Sequence, residues 1–237
     1  MEIDAVIAHC GDIIATKRCA RHPFVVDFEN NRPDELTLGQ WALQKYHQVY
    51  LQNQIFSIIH AKTDIPLVRQ FMVEQLVAEE TPINCGSDSH YNLMRRFAKA
   101  CGVADDQFCP GTIAPEVRAY VDVLLSIMRD EHFTVGLLAI YAIESQSGES
   151  VGAILSALKR HYRFSADELE WFTVHAEEDD GHADQGMRLV REYAPSLADF
   201  DHAAPRVVER ICDAWLALHG FYRSLLGAGQ PLAVMVS

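Results

Sequence analysis

The chain has 237 residues, 49% of them apolar, with 33 acidic against 20 basic side chains and a formal net charge of −13. That length and apolar share can build a substantial core, and no Pro/Gly/Ser-rich linker or shift in composition divides residues 1–237, so one domain is expected. The acidic balance argues against nucleic acid and anionic membranes as partners, and no stretch approaches the roughly 20 apolar residues of a membrane span.

The chain opens MEIDAVIAHCGD, with early acids and no basic stretch before an apolar run, which does not read as a secretory signal. Its six cysteines, at 10, 19, 85, 101, 109 and 212, form no CxxC pair. A cytoplasmic protein with reduced thiols is the expectation. The dominant period is helical, without alternating strand runs or an Asn-Gly hairpin signal. A first helix covers Ile3 to Lys17, and the His22-Pro23-Phe24 step turns the chain. A long helix runs from Thr37 to Thr63 with Gln40 at the capping-box position, and Pro66 starts the next, through Glu80. Thr81 to Ser89 is a polar loop with Pro82 and Gly86, followed by a helix from His90 to Ala100 that stops at Gly102. After a loop at Cys109–Pro115, helices are predicted at Glu116–Arg129, Thr134–Gln146 and Ser150–Tyr162. Ser165, with Glu168 three residues on, caps a helix to Tyr193, and the last helix runs from Pro205 to Leu226. Helices of this number with short loops predict an all-α bundle.

The chemistry concentrates at His175, Asp179 and His182. At 100° per residue these positions fall within about 60° of one another. They share that face with Trp171, Phe172, Leu189 and Val190, while Glu177, Asp180 and Arg188 take the other. A carboxylate on an apolar stripe needs a cation or donors. A metal ion supplies one answer, and a buried His–Asp–His hydrogen-bond cluster the other. Glu144 stands in an otherwise uncharged helix on the face of Leu137, Ile140 and Tyr141, as a further ligand or as a helix-end residue reaching solvent. Glu79 and Glu80 close another helix, and periodicity does not choose between them. His90 opens the next helix as a ligand or a cap. One glutamate of the pair, His90, Glu144, His175, Asp179 and His182 make three carboxylates and three imidazoles, a set that suits two iron or manganese ions. With no thiolate among them, a structural zinc site is not indicated.

The order Glu-Glu, His, Tyr141-x-x-Glu144-Ser145, then His175-x3-Asp179-x2-His182 resembles the heme-oxygenase-like di-iron oxidases and oxygenases, relatives of thiaminase II and pyrroloquinoline-quinone synthase. The likeness covers most of the chain, including His22-Pro23-Phe24, Leu36-Thr37, Arg96-Phe97-Ala98 and Trp171 to His175. The resemblance implies a heme-oxygenase-like helical bundle without heme, a dinuclear iron site, O2 as co-substrate, an external electron donor and a homodimer. Carried over by position, the ligands are Glu79, His90, Glu144, His175, Asp179 and His182.

The departures from the family also inform. Members that sacrifice their own tyrosine to make para-aminobenzoate carry a tyrosine where Val25 stands, and a lysine where Ile154 stands, which argues against a self-sacrificing reaction. Thiaminase II relatives use a central cysteine, and Leu137 to Gln146 contains none. The expected activity is therefore oxygen-dependent oxidation of a small amine or amino-acid-derived metabolite, by N-oxygenation, with oxidative C–C cleavage or decarboxylation as the alternative. Tyr46, His47, Tyr50, Gln54 and Phe56 offer a mixed polar and aromatic lining, with His47 as the substrate-pocket candidate or else a core or solvated histidine. A metal-free enzyme of the thiaminase or quinone-synthase kind, and a non-catalytic binding protein, are the rival classes.

Overall fold

The computed structural model describes residues 2–30, 32–83, 86–177 and 181–227, with the side chains of 177 and 181–184 left out. Among the described residues the regular structure is helical: α1 (Ile3–Thr16), α2 (Pro23–Asn30), α3 (Glu35–Gln52), α4 (Gln54–Lys62), α5 (Pro66–Glu80), α6 (His90–Ala100), α7 (Pro115–Asp130), α8 (Phe133–His161), α9 (Glu170–Glu177), α10 (Gly181–Tyr193) and α11 (Phe200–Gly227). No helix among them is long and apolar enough to cross a membrane.

Local chemistry explains where the sequence expectations hold. Pro66 starts α5 at a position whose missing N–H costs nothing. Gly102 ends α6 with φ +88°, a conformation that favours glycine, and its N–H donates to the Lys99 carbonyl. Ser165 and Glu168 form the expected reciprocal bonds, with Ser165 N donating to Glu168 Oε2 at 2.7 Å and Glu168 N to Ser165 Oγ at 3.3 Å, but they close a turn over 166–169 and α9 begins only at Glu170.

Four expectations are corrected. The His22-Pro23-Phe24 step starts a helix rather than only turning the chain: His22 Nδ1 accepts from Phe24 N at 3.0 Å and Pro23 supplies the first residue of α2. The helix predicted from Thr37 begins at Glu35, because Asp34 Oδ1 caps it by accepting from Thr37 N at 2.8 Å. Its regular bonding is interrupted at Asn53 (φ −58°, ψ −17°), which divides the predicted helix into α3 and α4. The two helices predicted around residues 146–150 are one, α8, roughly 44 Å long at 1.5 Å per residue. Its polar stretch does not break it because Gln146, Ser147 and Ser150 bond to the preceding turn: Gln146 Nε2 to Ala142 O at 2.7 Å, Ser147 Oγ to Ile143 O at 3.1 Å, and Ser150 Oγ to Ser147 O at 3.0 Å. Finally, α11 starts at Phe200, ahead of Pro205, on the Asp199 carbonyl, which accepts from His202 N and Ala203 N.

Helix α8 lies at the centre, packed by α2, α9, α10 and α11, and α3 crosses α6 and α7. Between them an aromatic core links the layers. The Phe172 ring meets Phe97 at 4.8 Å and Trp41 at 6.1 Å, and Trp41 in turn meets Phe28 at 5.1 Å and Phe24 at 6.0 Å. All of these rings are buried, and each removes a large apolar area from water. The α3–α6 approach depends on Gly39, where a Cβ would lie 2.8 Å from the Cys101 carbonyl oxygen.

That contact yields a paired prediction. Gly39→Ala should destabilise the fold by about 1–3 kcal/mol through forced separation of α3 and α6. Gly152→Ala, on α8 with open space where the Cβ would go, should stabilise it by roughly 0.5–1 kcal/mol. Urea unfolding of both variants checks the signs.

Candidate metal centre

Three helices distant in sequence deliver the central groups. Glu79 closes α5, His90 opens α6 and His175 lies in α9. The loop between α5 and α6 reaches its place through Gly86, at φ +84°, where a Cβ would meet Leu93 Cδ1 at 2.9 Å. Glu170, at the start of α9, then clamps that loop. Its carboxylate accepts from Ser87 N and Ser87 Oγ, both at 2.6 Å, and from Arg96 Nη1 at 2.7 Å. One carboxylate thus ties the loop before His90 and the body of α6 to the helix that carries His175.

The donor atoms of Glu79, His90 and His175 lie within 4.8 Å of one another. His90 is fully buried, with Nδ1 3.1 Å from Glu79 Oε2, and its ring lies 4.6 Å from that of His175. His175 Nδ1 stands 2.7 Å from the Trp171 carbonyl oxygen, which can only accept. The proton therefore sits on Nδ1, and Nε2 keeps its lone pair. Burial, with the neighbouring His90, pushes the His175 pKa down to about 4 and keeps the ring neutral at pH 7. Burial alone would raise the Glu79 pKa, but the hydrogen bond and close approach of His90, with the positive charge of Lys45, outweigh it and hold the carboxyl below its ordinary value. An ionised carboxylate and a neutral imidazole with a directed lone pair, without a thiolate, are a donor set that fits iron.

Glu79 and His175 form part of the wall of a cavity of about 340 Å³, with His90 behind them. Glu144 of α8 lines the same cavity. Glu80 is exposed, and of the two glutamates it is Glu79 that approaches His90. Asp179 lies outside the described residues, and so does the side chain of His182, whose backbone is in α10. His47 does not line the cavity. It is buried on another face of α3, with Nε2 2.9 Å from Thr112 Oγ1. Gln44 on that side likewise binds Thr112 O and Ala114 N, so this face secures the 107–114 segment. The cavity face of α3 is instead Trp41, Lys45, Gln48 and Gln52, continued by Ile55 and Phe56 of α4. Of the residues expected to line it, Phe56 does, whereas Tyr50 and Gln54 are exposed. The signal for the missed residues was present as spacing: 41, 45, 48 and 52 step by four, three and four, one stripe of a helix. No cysteine among the described residues lines the cavity, and Ile154 does.

This arrangement defines a class. The fold is that of the heme-oxygenase-like and TenA-like bundles: a TenA homologue from Pseudomonas syringae pv. tomato superposes with a TM-score of 0.74 at 15% identity, over 92% of this chain and 90% of that one. A domain with a heme oxygenase-like fold from Shewanella denitrificans superposes with a TM-score of 0.68 at 12% identity, over 92% and 89%. Residues 39–217 match the family described as iron-containing redox enzymes, and the chain belongs to that family. It is an oxidoreductase, as the resemblance implied. Among curated proteins it is similar to a 4-aminobenzoate synthase of Nitrosomonas europaea, 27% identical over 226 residues that cover 90% of this chain and 89% of that protein.

The buried histidines also set an acid limit. His47 and His219 are pushed by burial to about 4 and about 3. The unfolded chain takes up protons at these rings near pH 6.5, and the folded chain does not until well below that. Stability should therefore be fully present above pH 6.5 and fall as the pH drops towards 4. Urea midpoints of the metal-free protein at pH 7 and pH 5 test this, with a lower midpoint at pH 5 expected and equal midpoints contradicting it.

Proposed function

We propose that the cavity holds two iron ions on Glu79, His90, Glu144, His175, Asp179 and His182, and that the protein uses them with O2 and an external electron donor to oxidise a small amine or amino-acid-derived substrate. The observation that carries this reading is the convergence of Glu79, His90 and His175 from three separate helices at the wall of a cavity that Glu144 also lines. Manganese would suit the same donors, and the family description favours iron. When bound, the metal pair supplies the reduction of O2 and the oxidising power delivered to the substrate.

The chain's own residues supply orientation and a partly dry enclosure. Trp171 holds His175 twice, by its carbonyl and by its ring, which stacks on the imidazole at 4.1 Å. That fixes the direction of the Nε2 lone pair. Phe24, Trp41, Ile140, Ile154 and Phe172 give the cavity an apolar wall that limits competing water. N-oxygenation is the reaction assigned: one oxygen atom is added at the amine nitrogen, the other leaves as water, and the donor provides two electrons and two protons. The similarity to a 4-aminobenzoate synthase supports chemistry on a small amine-bearing acid. Ile154 lining the cavity, and Val25 buried in the core, supply no group for a self-sacrificing route. The absence of a cysteine among the described lining residues supports oxidation over thiaminase-type chemistry.

Two measurements test this. Glu79→Ala, His175→Ala, Asp179→Ala and His182→Ala should each lower bound iron while the bundle stays folded, and Glu80→Ala should leave it unchanged. Unchanged iron in the first set sinks the ligand assignment. Second, anaerobic iron(II) loading followed by mixing with oxygenated buffer should consume O2 with a transient visible absorption. With an amine substrate and ¹⁸O2, product mass should rise by one labelled oxygen. Release of CO2 or a carbon fragment from an unlabelled amine would assign C–C cleavage instead.

A further inference from the structure

Lys45 is a cation in the cavity wall that no carboxylate among the described residues pairs with directly, although it feels the charge of Glu79. Its Nζ donates to Gln48 Oε1 at 3.1 Å and lies 5.0 Å from the centre of the Trp171 ring. It makes no ion pair among the described residues, whereas Arg18, the other cavity cation, is neutralised by Glu149, with Nε 2.6 Å from Oε2. Burial lowers the Lys45 pKa to about 8, which still leaves the ammonium mostly protonated at neutral pH. Its charge acts on both ends of the cavity, disfavouring protonation of His175 and His219 and helping to keep Glu79 ionised. A buried charge left this way is costly unless something pairs with it.

The neighbouring groups have the same deficit. Trp41 Nε1, Trp171 Nε1 and Gln75 Nε2 belong to cavity-lining residues, are buried, and have no hydrogen-bond partner among the described residues. An indole N–H can only donate. Besides the carboxylates of Glu79, Glu144 and Glu149, the polar part of the lining thus holds the Lys45 ammonium and these donors, while Phe172 and Ile154 give it apolar wall. The complementary ligand carries negative charge and acceptor oxygens at one end and an apolar body at the other.

We propose that Lys45 is the anchor for the carboxylate of a small carboxylic acid substrate, which pairs with Nζ beside Trp171 while its apolar body lies along the aromatic wall. This deepens the reading given under Proposed function and rests on it for the chemistry that follows binding. Lys45 and His175 both lie against the Trp171 ring, so an acid held on Lys45 is brought beside the metal centre. Lys45 is a substrate-binding residue in this account and takes no part in holding iron.

The test uses the full chain free of metal, so that its failure is separable from a failure of iron binding. Benzoate and 3-phenylpropionate are each compared with the corresponding neutral amide, by quenching of tryptophan fluorescence and by calorimetry. At least one acid should bind at least tenfold tighter than its amide. Lys45→Met and Lys45→Gln should abolish that preference, and Lys45→Arg should keep most of it. Melting temperatures of the Met and Gln variants should equal or exceed that of the parent, since an unpaired cation has been removed. Iron stoichiometry should be that of the parent in all three. Failure of both acids to bind, equal affinity for acid and amide, or an undiminished preference in the Met and Gln variants would each overturn the proposal.

Discussion

The structure depends on accommodating an ionised carboxylate inside a helical bundle. Glu79 is placed among His90, His175 and Lys45, where its own desolvation is unfavourable and is offset by imidazoles and a distant ammonium. A charge in such a place cannot be relocated by a small slip of one helix without losing those partners. Three helices are therefore locked to one point, and the long α8 supplies the floor against which α9 is held. The Glu170 clamp onto Ser87 and Arg96 does the same work from outside, tying the loop before His90 to the helix of His175.

Neutral imidazole is the second condition. A protonated His175 would compete with any metal for its own lone pair, and burial together with the Trp171 carbonyl keeps that pair free and directed. Trp171 thus connects the two functions of the cavity. Its carbonyl and ring fix His175, a donor of the proposed metal site, and the same ring lies under the Lys45 ammonium. Cation–π contact of this kind stabilises a lysine that no carboxylate among the described residues pairs with by about 0.5–2 kcal/mol. An anionic ligand completes the balance.

Much of this was legible in the sequence because the relevant signals are local. Pro66 and Gly102 mark helix ends whatever the surroundings, and α5 and α6 fall at the predicted bounds. The likeness of Glu79, His90 and His175 to a known ligand order placed them before any contact was visible. The failures have a common physical origin, since tertiary packing decides what a polar residue on an amphipathic helix faces. Residues 146–150 resemble a loop because serine and glycine favour turns, but in α8 the side chains of Gln146, Ser147 and Ser150 bond to the helix itself. His47 resembles a pocket residue because it lies near Tyr46 and Tyr50, yet its face of α3 is taken by the 107–114 segment. Lys45 was invisible for the converse reason: a lysine in a helix reads as solvated, and only its register with Trp41, Gln48 and Gln52 reveals the cavity stripe.

The central claim is that the carboxylate and imidazole cluster is a two-iron site. The most direct measurement is Mössbauer spectroscopy of the protein loaded with ⁵⁷Fe(II) and then exposed to O2. The account predicts about two irons per chain and, after oxidation, a pair of high-spin ferric ions coupled to a diamagnetic ground state. Uncoupled paramagnetic iron at one ion per chain, or no retained iron, would contradict it and leave Glu79, His90 and His175 as a hydrogen-bonded core cluster.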